Sequence, residues 1–114
     1  MIIDFHTHCF PDMIAHHAIS ALETSSGGLM PGTDGTVSGL KEAMRRQNVA
    51  KSVVLSIATN ARQQTNVNNF AAEINGGDII AFGSVHPDAP NALEELERIK
   101  SLGLCGVKFH PEFQ

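Results

Sequence analysis

The sequence predicts an α/β protein built from parallel βα units. Two patterns carry this expectation. Short apolar or β-branched runs alternate with amphipathic stretches along the whole of the 114 residues. Each run except the last is followed by a stretch with helical spacing and not by a hairpin turn, so neighbouring strands would be joined by crossovers. A third observation concerns chemistry: histidine recurs where the strands are expected to stop, at His6 and His8, His86 and His110.

The first strand is read from Met1-Ile2-Ile3 and ends in Asp4-Phe5-His6-Thr7-His8. Side chains alternate along a strand, which places Asp4, His6 and His8 on one face and Ile3 and Phe5 on the other. Residues two apart lie roughly 6.6 Å apart along the strand. Two imidazoles on one face can therefore lean toward a common ion about 2.0–2.1 Å from each nitrogen. The plainer reading is two polar residues on a half-exposed strand end. Pro11 and Asp12 mark a helix start, and Ile14, Ala15, Ala18, Ile19 and Leu22 follow at helical spacing. His16 and His17, about 100° apart on that helix, are surface residues and not a chelating pair. The Gly- and Ser-rich stretch from Ser25 to Gly35 is a mobile loop, either a lid over the active face or a simple connection.

Ser38 is the expected N-cap of a helix running to about Gln47, with Leu40, Ala43 and Met44 as its buried stripe and Asn48 in a left-handed position after it. Residues Ser52 to Ile57 form the second strand. Its Val53, Leu55 and Ile57 face should meet helices, and its Ser52, Val54 and Ser56 face should look into a barrel interior. Val67, Phe70, Ala71 and Ile74 mark the next helix, closed by Gly76-Gly77. The third strand runs from Ile79 to Val85 and stops at His86-Pro87-Asp88, since Pro87 has no backbone N–H. Asn91 and Glu94 have capping-box spacing at the start of a helix whose Leu93, Leu96 and Ile99 face the core and which ends at Gly103. Val107 to His110 is the fourth strand, with Val107 and Phe109 packed on helices and Lys108 and His110 turned to the interior. A lysine there is costly to bury unpaired, so it should meet a carboxylate, with Asp4 one candidate, or a substrate acid, or a metal after carboxylation.

Composition narrows the function classes. Lys+Arg 8 against Asp+Glu 12 gives a net charge of -4, and no basic stripe appears, which argues against nucleic acid or an anionic membrane surface as partner. The apolar start is too short for a signal peptide or a membrane span, and a cytoplasmic protein is expected. Cys9 and Cys105 lie far apart and outside paired metal spacing; both are expected to be plain core thiols. Val85-His86-Pro87-Asp88 and Phe109-His110-Pro111-Glu112 echo each other, as one strand-stop solution used twice. His86 is read as a hydrogen-bonded strand terminator, and His110 as a functional group on the rim that strand C-termini form in parallel α/β folds.

Asp4-Phe5-His6-Thr7-His8, Gly83-Ser84-Val85-His86-Pro87-Asp88 and Gly106-Val107-Lys108-Phe109-His110-Pro111-Glu112 resemble the amidohydrolase superfamily. The likeness is closest to its amidohydrolase-related branch, which includes the decarboxylase of aminocarboxymuconate semialdehyde. The resemblance implies a TIM-type (β/α)8 barrel with one or two divalent metals, zinc foremost, at the C-terminal rim. It carries the first two metal ligands onto His6 and His8. Lys108 matches the place of the bridging carboxylated lysine of binuclear members, although the mononuclear branch is the closer likeness. Other family ligands come from strands five, six and eight. Such a barrel needs about 250 residues, so the chain is expected to be its first half, strands one to four, as a fragment or a truncated product. The implied activity is metal-dependent hydrolysis of a small molecule, in which the ion lowers the pKa of a bound water. Two alternatives stay open: metal-dependent non-oxidative decarboxylation of a small carboxylic acid, with Lys108 and His110 positioning the carboxylate, and a non-catalytic half-barrel that only associates, as a homo-oligomer or with a complementing half.

Overall fold

Apolar periodicity in the sequence becomes seven elements in the computed structural model, which describes all residues from Met1 to Gln114. In chain order they are β1 (Ile3–Thr7), α1 (Asp12–Ser25), α2 (Val37–Gln47), β2 (Lys51–Leu55), α3 (Gln64–Ile74), β3 (Ile79–Phe82) and α4 (Ala92–Ser101). The three strands form one parallel sheet in the order β1-β2-β3, so spatial order follows chain order. No helix is long and apolar enough to cross a membrane.

Register decides which face meets the helices. Ser52 pairs with Ile79 and Val54 with Ala81, so these four share a face. Val54 and Ile79 pack with Leu40 and Met44 of α2 and with Cys9, and Ala81 packs with Ala71 of α3 and Ile99 of α4. The helix-facing side of β2 is therefore the Ser52/Val54 side, the reverse of the sequence expectation. Val53 and Leu55 lie on the opposite side and are buried too. A strand central in its sheet and buried on both faces gives periodicity nothing to choose between. Serine is tolerated on the core side although its hydroxyl has no hydrogen-bond partner.

The fourth strand does not form. Val107 makes a single parallel bridge to Gly83. Gly83 N–H donates to the Gly106 carbonyl (2.9 Å) and Lys108 N–H to the Gly83 carbonyl (2.9 Å), and the pairing stops there. At Gly106 the backbone lies against the Phe82 ring, where a Cβ would come within 2.5 Å of it. Val107 and Phe109 are exposed and do not pack on helices. β3 is likewise shorter than expected, ending at Phe82. Cys9 is a core thiol, and burial pushes it up to about 11. Cys105, also expected in the core, is exposed.

Helix ends follow side-chain chemistry, with two corrections. Thr36, not Ser38, caps α2: its hydroxyl accepts from Gly39 N–H (2.9 Å) and donates to Asp34 Oδ1 (2.7 Å). Asn48 takes the left-handed conformation (φ 55°) after that helix, as read from the sequence. A Thr36→Ala variant is expected to lose about 1 kcal/mol in urea unfolding, whereas Ser38→Ala should change little. Asn91 precedes α4 but forms no capping bond; its Oδ1 accepts instead from Gln64 Nε2 (3.0 Å). Leu93 is exposed, and the buried residues of α4 are Glu95 and Ile99.

A buried polar network ties α3 and α4 to the end of β3. Asn68, fully buried, donates through Nδ2 to the Ser84 carbonyl (2.8 Å) and to Glu95 Oε1 (2.8 Å), and its Oδ1 accepts from Ser84 N–H (2.8 Å). Arg98 closes the network with two bonds to the Glu95 carboxylate (2.7 and 3.1 Å). The Glu95 carboxyl is held below its ordinary range, first by the Arg98 hydrogen bond and also by Asn68, against the opposing effect of burial.

Candidate metal centre

β1 brings His6 and His8 together at its C-terminal end. Asp4 pairs with Ser52 and Thr7 with Val54, so three steps on β1 answer two on β2 and the alternation breaks once between them. Asp4 therefore does not share the face of the histidines as simple alternation predicts. Its Oδ1 accepts from His6 N–H (3.1 Å), a local turn contact. Thr7 lies on the helix-facing side, its hydroxyl bonded to the Val53 carbonyl (2.8 Å), and His6 and His8 lie on the other.

The two imidazole ring centres are 5.1 Å apart, with ring planes at 69°. Two imidazoles that share a tetrahedral zinc at Zn–N of about 2.0–2.1 Å place their ring centres about 5 Å apart, which is the spacing of this pair. His8 is half-buried, and its Nδ1–H donates to the Leu55 carbonyl (2.9 Å) at the end of β2. That bond fixes the tautomer and leaves the Nε2 lone pair free, the orienting contact that metal-ligating histidines use. Burial holds the His8 pKa below its ordinary value. The Leu55 bond opposes this, and the charges of His6, Lys108 and His110 add to it. A metal ligand must be a neutral imidazole, so the shift runs in the direction that ligation needs. The donor set stops at two: no three His, Cys, Asp or Glu side chains are grouped to hold an ion. The pair fits two positions of a tetrahedral site.

His110 and His86 take up one local geometry. His86 Nδ1 accepts from Asp88 N–H (3.3 Å), and His110 Nδ1 accepts from Glu112 N–H (3.3 Å). The echo between the two His-Pro-acid stretches is thus the same turn built twice. With Nδ1 accepting, the neutral ring carries its proton on Nε2. His110 is thereby set to donate to a neighbouring acceptor and not to ligate through a free lone pair. The backbone N–H of His86 donates to Gln64 Oε1 (3.2 Å), but β3 ends at Phe82, so His86 lies beyond the strand and does not terminate it as read from the sequence. Lys108, half-buried, forms none of the ion pairs, which are Arg45–Glu42, Lys51–Asp78 and Arg98–Glu95, so Asp4, one of the partners considered for it, does not pair with it.

The rim is held together by two residues that sequence reasoning missed. Ser84 Oγ accepts from Ala58 N–H (3.1 Å) and donates to the Lys108 carbonyl (3.0 Å), joining the ends of β2 and β3 to the Lys108 segment. The Gln114 side chain donates from Nε2 to Ala58 O, Ser84 Oγ and Val85 O (2.9, 3.0 and 2.8 Å), and its Oε1 accepts from His110 N–H (2.7 Å). The one sequence signal for this scaffold was the spacing Gln64, Asn68, Ala71, which puts two amides on the buried stripe of α3. The loop read as lid or connection reaches the same region: Leu29, Met30 and Pro31 line a cavity together with His110 and Glu112. No protein-family model, curated protein or solved structure matches this chain.

Proposed function

We propose that the three strands are an arc of a (β/α)8 barrel, and that their C-terminal rim is part of the divalent-metal centre of a hydrolase acting on a small molecule. Strand order that follows chain order, with α2, α3 and α4 packed on one face, supports the arc. The observation that carries the function is the His6–His8 pair. It has the ring spacing of two zinc ligands, and His8 is oriented by the Leu55 carbonyl. In this reading His6 and His8 hold the ion, zinc in the first place, which would supply an acidified water and a polarising charge. His110 donates from Nε2 to the substrate, and the Lys108 ammonium neutralises developing negative charge beside it.

Decarboxylation is a second reading, favoured by one specific feature. Lys108 and His110 both belong to the segment that Gly83 and Ser84 hold at the rim, and an ammonium beside an imidazole N–H suits a carboxylate. Product analysis separates the two. Zinc-loaded protein is expected to release amine from simple anilides, with turnover abolished in His6→Ala/His8→Ala. Carbon dioxide release from small aromatic acids without hydrolytic cleavage would replace hydrolysis by decarboxylation. The exposed Phe5, Val107 and Phe109 support the third reading, association without catalysis. A metal-free, monodisperse oligomer with neither product would establish it.

A further inference from the structure

Beside the rim, a cavity of about 400 Å³ lies between the C-terminal part of α1, the loop after it and residues 110–113. Its volume is in the range of small-molecule sites. The body of the cavity is apolar, formed by Ile19, Leu22, Leu29, Met30 and Phe113, and the His110 ring lies against Phe113 with ring centres 4.6 Å apart and planes tilted by 39°. Gly27 and Gly28, at φ 75° and 91°, turn the chain back so that Leu29 and Met30 reach the cavity, where both remain largely exposed.

Apart from His110, the ionisable part of the lining is acidic. Glu23 and Glu112 supply two carboxylates, and no lysine or arginine lines the cavity. Ser25 and Ser26 donate their hydroxyl protons to the Leu22 and Glu23 carbonyls (3.1 Å each), so toward a ligand they offer oxygen lone pairs. The last turn of α1, which forms this wall, contains no basic residue, and its Leu22, Glu23 and Thr24 carbonyls already accept from Ser26, Gly28 and Gly27 N–H, so the negative charge of the wall comes from the carboxylates. We propose that this cavity binds the apolar, ammonium-bearing part of a small-molecule substrate, with the ammonium set against the Glu23 and Glu112 carboxylates. Where the hydrolase reading holds, and this part of the inference rests on it, the reacting group of that substrate extends past His110 toward His6 and His8.

The test uses two probes of similar shape and opposite charge, 2-phenylethylammonium and 3-phenylpropionate. They are titrated into metal-free protein in chelator and followed by methyl resonances and calorimetry. The ammonium is expected to bind roughly tenfold more tightly than the acid and to shift the methyl signals of Ile19, Leu22, Leu29 and Met30. A Glu23→Gln/Glu112→Gln variant should lose the preference while its spectrum stays folded. Acid binding as tight as ammonium binding, shifts confined to other residues, or no saturable binding of either probe would overturn the proposal. Because no metal is present, the two readings fail separately. Intact ammonium binding in a protein that takes up no zinc would overturn the hydrolase alone, and zinc uptake without ammonium binding would overturn the cavity assignment alone.

Discussion

An Asn68→Ala variant is expected to lose about 3–5 kcal/mol of stability, enough to bring a domain of ordinary stability close to unfolding. The side chain is fully buried and makes three hydrogen bonds. Its removal strands the Ser84 N–H and carbonyl at about 1–3 kcal/mol each and takes a donor from the Glu95 carboxylate. Asn69→Ala is the control: this neighbour is exposed and only accepts from Arg98 (2.8 Å), so its loss should cost a few tenths of a kcal/mol at most. Urea denaturation of both variants checks the contrast, and equal midpoints would refute it. The same network sets an acid limit. Folding lowers the Glu95 pKa, so the unfolded chain binds that proton more readily. The Glu95 contribution is full above the ordinary glutamate value of about 4.3 and is lost as pH falls below it toward the folded value.

The second large effect concerns the metal. Single His6→Ala and His8→Ala variants are each expected to lower zinc affinity at least about a hundredfold, since removing even an orienting partner of a ligand costs about 10–100-fold. His110→Ala should leave zinc affinity within a few-fold, because its Nδ1 is engaged by Glu112 N–H and its Nε2 carries the proton. Competition titration against a chromogenic chelator reads all three. A His110 variant as impaired as the His8 variant would move His110 into the metal shell and contradict the tautomer argument.

The parts of this architecture legible in the sequence were those where one face is buried and the other wet. α2, with Leu40 and Met44 in its stripe, is such an element, and Asn48 marked its end by chemistry that few residues share. β2 could not be oriented because Val53, Val54 and Leu55 are all buried, so alternation carried no information. The fourth strand was read from Val107-Lys108-Phe109, a run with good β propensity. Yet the segment finds one partner residue, Gly83, and turns at Pro111. Strand formation needs a ladder as well as propensity. At the candidate site, His6 and His8 were legible as a pair. The break in alternation after Asp4 was not, and it removed Asp4 from their face. The scaffold behind the rim was hidden because Gln64, Asn68, Ser84 and Glu95 are residue types that usually sit at the surface. Their burial is visible only once α3, α4 and β3 converge.

Metal content of the purified protein, compared with that of a His6→Ala/His8→Ala variant prepared identically, tests the central claim most directly. Zinc is expected to stay with the wild type through gel filtration and to be lost from the variant, with both chains equally folded by circular dichroism. Equal metal in the two proteins would contradict it.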